Sequence, residues 1–130
     1  MTRWLDEVLS HPPLRFDSLK PSTVPEDGGV YLISDHSQGA EEIVYVGLTG
    51  NLRRRVCSDQ LHGDAIAGTI KPALVHHGRA KDIRSAKEYM RKSCGVRFAV
   101  VPDYREREMR EGFAKAVLKP QFSLYKSKEH

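Results

Sequence analysis

The sequence predicts a small α+β domain, α/β in the looser sense: a three-stranded antiparallel or mixed β-sheet flanked by helices. Two observations carry this. Runs rich in β-branched and aromatic residues at 30–33, 43–46 and 96–101 alternate with stretches of helical apolar spacing. The chain has 130 residues, 39% hydrophobic and 29% charged, which suits one core and fits neither a disordered nor a membrane-spanning chain. Repeats and low-complexity segments are absent, and no second domain is indicated.

In order, residues 3–10 read as a short helix with Trp4, Leu5, Val8 and Leu9 at helical spacing and Thr2 as a candidate cap. Residues 11–27 hold prolines at 12, 13, 21 and 25 and read as an ordered strap, pinned by Leu14, Phe16 and Leu19. Strands at 30–33 and 43–46, joined by turn residues at 35–39, form an antiparallel hairpin. Thr49-Gly50-Asn51 then opens a helix over 51–61 with Leu52 and Val56 inward. Residues 64–77 read as a helix interrupted near Pro72. A basic helix follows over 82–93, with Ile83, Ala86 and Met90 as its apolar stripe and Gly95 as its stop. The third strand runs over 96–101. Asp103 and Glu106 form a capping box for a helix over 104–118, whose inward face is read as Met109, Phe113, Ala116 and Val117. Pro120 stops it.

The formal net charge of +4 conceals a division: residues 1–46 hold 3 basic and 8 acidic residues, and residues 47–130 hold 18 and 9. A polyanion suits the second part. Cys57 and Cys94 are far apart and read as reduced, packed thiols, with no zinc pattern. His76-His77 reads as a surface pair, since adjacent side chains diverge. No apolar run is long enough for a membrane span, and the charged N-terminus does not read as a signal peptide, so a cytoplasmic setting without a membrane partner is expected.

The residues fit for chemistry are scattered. Tyr31 and Tyr45 stand on strands that pair about 4.8 Å apart, so they can share one small site. Arg55 follows in the first turns of the next helix, and Glu111 lies in the middle of helix 104–118. Gly29-Val30-Tyr31, then Tyr45-Val46-Gly47, then Asn51-Leu52 with Arg55, then Glu111 nine residues before Pro120 and Phe122, resembles the GIY-YIG nuclease family. The likeness covers residues 28–123. Residues 1–27 form an N-terminal helix and strap packed on that domain, and 124–130 form a tail.

The resemblance implies a GIY-YIG endonuclease-like fold and metal-dependent hydrolysis of phosphodiester bonds in DNA, with RNA left open. It implies Arg55 as the guanidinium that holds phosphate oxygens and Glu111 as the ligand for Mg²⁺ or Mn²⁺. Tyr31 is implied as general base and Tyr45 as the group that positions water or phosphate, two roles that could be exchanged. The chain departs from the pattern at Leu48, where some members have lysine, and at Asp59, where His or Tyr is usual. His62, seven residues after Arg55 and so on nearly the same face of an α-helix, is the candidate catalytic substitute. Ser123 stands where Asn is common and can still form a hydrogen bond to nucleic acid. Gly29 and Gly47, lacking Cβ, are expected to let a nucleic-acid backbone approach. Arg53, Arg54 and the helix cations Arg84, Lys87 and Arg91 are expected to meet phosphates. The alternative expectation is a catalytically weakened module of the same kind that binds nucleic acid. Monomer and dimer both stay open.

Overall fold

The computed structural model describes residues 2–62 and 70–122, apart from the side chains of residue 2 and residues 59–62. Helix α1 (Thr2–Ser10) turns Leu5 and Val8 inward, and Pro12-Pro13 end it. Extended backbone follows, and Leu14–Arg15 forms a two-residue strand, β1. β2 (Gly29–Asp35) and β3 (Glu42–Thr49) make the expected hairpin. A π-helix spans Arg54–His62, and α2 (Lys71–His76) and α3 (Ile83–Ser93) follow. β4 (Cys94–Val100) and α4 (Tyr104–Leu118) complete the described chain.

The sheet is antiparallel throughout, in the order β1-β4-β2-β3, so it has four strands rather than three. The fourth strand hides in the strap. Two residues carry no periodicity, and the prolines before them, which cannot donate, confine β1 to an edge. β1 pairs Leu14 with Val96 and Arg15 with Gly95. Gly95 is therefore a strand residue rather than a helix stop: a Cβ there would crowd Pro13 and the Leu14 carbonyl.

Two cores lie on opposite faces. Phe16, Tyr31, Ile33, Leu52, Val56, Leu74, Ala86 and Met90 build the first, under the π-helix, α2 and α3. Val30, Leu32 and Val46 meet Leu5, Val8 and Ala114 in the second, under α1 and α4. The strap is pinned by Phe16 and Val24, while Leu14 is exposed. On α4 the inward residues are Phe113, Ala114 and Leu118. Met109 and Val117, read as inward, are 57% and 55% exposed, because the helix meets the sheet along a stripe that is rotated from theirs.

A β-bulge interrupts the hairpin. Ile33 faces Tyr45 and Ser34 faces Ile43, leaving Val44 as the extra residue. Val44 and Tyr45 consequently both lie with the first core, and Ile43 lies with the second.

Two local readings change, and a third lies partly outside the described residues. Of the expected interrupted helix over 64–77, residues 64–69 are not described, and Pro72 sits in the first turn of α2, where its missing N–H costs nothing. The expected α-helix over 51–61 is largely π-helical. Its i→i+5 bonding widens the turn, so the α-helical spacing that placed His62 on the face of Arg55 does not apply. Asp35, read as turn chemistry, is a buried strand residue. The N-cap half of the capping box of α4 is present: the Asp103 carboxylate accepts from the Glu106 amide at 3.0 Å, while the Glu106 carboxylate pairs with Arg110. Among the described residues, no helix is long and apolar enough to cross a membrane.

Candidate active site

Tyr31 stands in β2 opposite Gly47 of β3. Its ring is 1% exposed and lies against the neighbouring strand: a Cβ on Gly47 would fall 2.5 Å from both Cζ and Oη of Tyr31. Tyr45 is one diagonal step away on the same face. The two rings have centroids 6.1 Å apart and planes inclined by 24°. Burial pushes the Tyr45 phenol above the ordinary tyrosine value. A hydrogen bond with Tyr31 and the charge of Arg55 draw it down, and the charge of Glu111 pushes it further up. Residues from β2, β3, the π-helix and α4 thus act on one hydroxyl.

Each partner is held by local chemistry. Thr49 Oγ1 accepts from the Asn51 amide at 3.1 Å, and Asn51 Oδ1 caps the Arg54 amide at 3.0 Å. The Leu52 and Arg53 amides donate to the carbonyls of Asp27 and Pro25, and the Arg55 amide donates to Asn51. These first-turn amides are all engaged within the chain, so an anion here would meet side chains. Arg54 and Arg55 line a cavity of about 280 Å³ with Thr49, Gly50 and Asn51. On α4, Ala114 is buried in the second core, and Glu111 one turn earlier is partly buried, 3.5 Å from Lys115 Nζ.

The glycines act differently from expectation. Gly29 and Gly47 are both buried, and the missing Cβ of each makes room for the protein itself. At Gly29 the space is filled by the Ala99 carbonyl and Leu52, at Gly47 by Tyr31. Arg53 is likewise turned to structure: its Nε donates to the Val24 carbonyl at 2.8 Å and its NH1 pairs with Glu26 at 3.0 Å, fastening the strap.

Arg54 is exposed, as are Arg84 and Arg91 on α3, with Arg91 4.0 Å from Glu88. Lys87 is half-buried between them. The side chains of Asp59 and His62, and all of Ser123, lie outside the described residues. Among the described residues no three His, Cys, Asp or Glu side chains gather as a metal group. His76 and His77 are exposed and meet edge to face, and His77 stacks on Phe122 with centroids 4.7 Å apart. A larger cavity, about 480 Å³, runs beside β4 past Trp4, Leu14 and Phe98 and contains none of the predicted site residues.

One polar cluster had no signal in the sequence. At the other end of the hairpin Asp35 is 2% exposed and bonds to Arg79, Tyr89 and the Ser37 amide. Burial pushes its carboxyl up, but those hydrogen bonds and the Arg79 charge outweigh it and hold it below the usual range. Asp35 and Arg79 are 44 residues apart, too far for any spacing rule. Comparison with protein-family models and with curated proteins returns no match to the chain.

Proposed function

We propose that the chain is a metal-dependent endonuclease of the GIY-YIG type, in fold and in chemistry, which hydrolyses phosphodiester bonds of DNA. One observation carries the reading: Tyr31, Arg55 and Glu111, scattered in sequence, all act on the Tyr45 phenol. Attack on phosphorus builds negative charge, and the Arg55 guanidinium beside its cavity can hold two oxygens at once. Tyr45 is the more accessible tyrosine and meets the attacking water. Tyr31 lies behind it and holds its hydroxyl. This is the exchanged form of the roles the resemblance implies.

Glu111 fits a divalent cation in its donor chemistry. It is a partly exposed carboxylate whose contact with Lys115, 3.5 Å, is longer than a charge-assisted hydrogen bond. One carboxylate completed by waters and a substrate phosphate suits Mg²⁺ or Mn²⁺. When bound, the ion supplies Lewis-acid stabilisation of the leaving oxygen. Arg54, Arg84 and Arg91 supply exposed cations for the flanking phosphates. RNA offers the same phosphates. The free, buried thiols of Cys57 and Cys94 accord with a cytoplasmic setting.

The second reading, a module that binds nucleic acid without cutting it, draws on the raised Tyr45 phenol, which is a poor base until a cation or substrate changes its surroundings. Supercoiled plasmid incubated with Mg²⁺ separates the two. Nicking by the native chain and none by Glu111→Ala is the expected result. Binding that weakens with salt, without cleavage over duplex, branched and single-stranded substrates, selects the module. No binding even at low salt overturns both.

A further inference from the structure

The bulge that sets Tyr45 has a keeper outside the hairpin. Val44, the extra residue, offers its carbonyl to the Phe122 amide at 2.9 Å. Phe122 is 1% exposed and follows α4 through Lys119, whose φ of 47° is left-handed, and the buried Pro120. Arg79 reaches this segment from the link between α2 and α3. Its NH2 donates to Gln121 Oε1 at 2.6 Å and lies 3.7 Å from Glu42 Oε1. Its guanidinium carbon stands 5.6 Å from the Phe122 ring centroid. NH1 pairs with Asp35 at the end of β2 and meets the Tyr89 hydroxyl at 3.4 Å. One side chain thus joins the ends of both hairpin strands, α3 and the segment after α4.

We propose that Arg79 is a positioning residue for the candidate active site: it holds Phe122 on the bulged Val44 carbonyl and so keeps the adjacent Tyr45 on the face it shares with Tyr31. The inference rests on the nuclease reading for its consequence in catalysis, but not for its geometry. A bulge leaves its extra residue unpaired in the ladder and re-aims the side chains beside it, so a contact from outside the hairpin can hold it in place. The anchor here is a backbone hydrogen bond from a segment with no strand of its own. Removing the guanidinium leaves Asp35 buried without its cation and frees Gln121 and Phe122 together.

The test pairs a kinetic and a structural readout on the full chain, for Arg79→Gln and Arg79→Lys. Arg79→Gln is expected to lower kcat for plasmid nicking by about 100-fold, the cost of a misplacement near 1 Å, while KM for DNA moves less than about threefold. Nuclear Overhauser contacts between the Tyr31 and Tyr45 rings should weaken, and the Phe122 amide should lose exchange protection. Arg79→Lys should restore part of each. If Arg79→Gln only lowers the melting temperature, with kcat, ring contacts and amide protection unchanged in the folded protein, the proposal is overturned. Should Arg79→Gln not fold, Phe122→Leu keeps apolar bulk while losing the ring, and the same readouts decide. A native chain that cuts nothing sinks the nuclease reading alone. The ring contacts and amide protection then decide whether Arg79 positions Tyr45.

Discussion

The two ends of the β2–β3 hairpin put polar groups to opposite uses. At the Asp35 end, a buried carboxylate, a guanidinium, a phenol and an exposed side-chain amide close into a mutually satisfied knot. At the Tyr31 end, a guanidinium that lines a cavity and a carboxylate act on one of two stacked phenols, and the carboxylate stays partly exposed with a loose partner. The first arrangement holds the strands together, and the second is the one that the nuclease reading assigns to a substrate. Substitutions should therefore cost stability at one end and activity at the other.

The largest expected effect is at the open end. Arg55→Ala should lower kcat for nicking by about 10³-fold, near 4 kcal/mol in activation free energy. Its urea-unfolding free energy should move by less than about 1 kcal/mol. A variant that melts instead would erase the contrast. At the closed end, Asp35→Ala takes the buried carboxylate from Arg79, which keeps Gln121 and the longer Glu42 contact, and should cost about 3 kcal/mol in the same unfolding measurement.

Gly47→Ala lies between the two kinds of effect. Its Cβ would press on Cζ and Oη of Tyr31, a buried ring with little room to move. Overpacking of this kind costs about 1–3 kcal/mol and should also displace the tyrosine pair, visible as altered ring contacts by NMR.

A pH titration of stability sharpens the closed end. The folded carboxyl of Asp35 lies below its ordinary value of 3.8. Its contribution is therefore full above that value and is lost as pH falls through the lower folded value. Asp35→Asn should flatten that acid limb. The smallest effect belongs to the exposed cations: Arg54→Ala should reduce the slope of log binding constant against log salt by about 1, with protein stability unchanged.

The hairpin, both terminal helices and the capping box were legible because each rests on neighbours in sequence: alternation, helical spacing, or an oxygen three residues from an amide. The tyrosines, Arg55 and Glu111 were legible as residue types at particular intervals. What those intervals hid is instructive. Gly29 and Gly47 read as openings for a ligand, because a missing Cβ does not say which neighbour fills the space. Arg53 and Arg54 are indistinguishable in an arginine run, yet one fastens the strap and the other faces solvent. The face of α4 was misread because Met109 and Val117 are apolar whether or not the sheet lies beneath them.

By itself the sequence determined the class of fold and the main helices and strands, since these depend on local propensity and spacing; the four candidate site residues were singled out by a family resemblance. Tertiary structure alone decided that β1 joins the sheet, that a bulge at Val44 turns Tyr45 toward Tyr31, and that Arg79 ties Asp35 to Gln121 and Phe122. Each of these joins residues tens of positions apart, through a backbone pairing or a buried charge. Such contacts form only once the chain has closed on itself, and no local pattern encodes them.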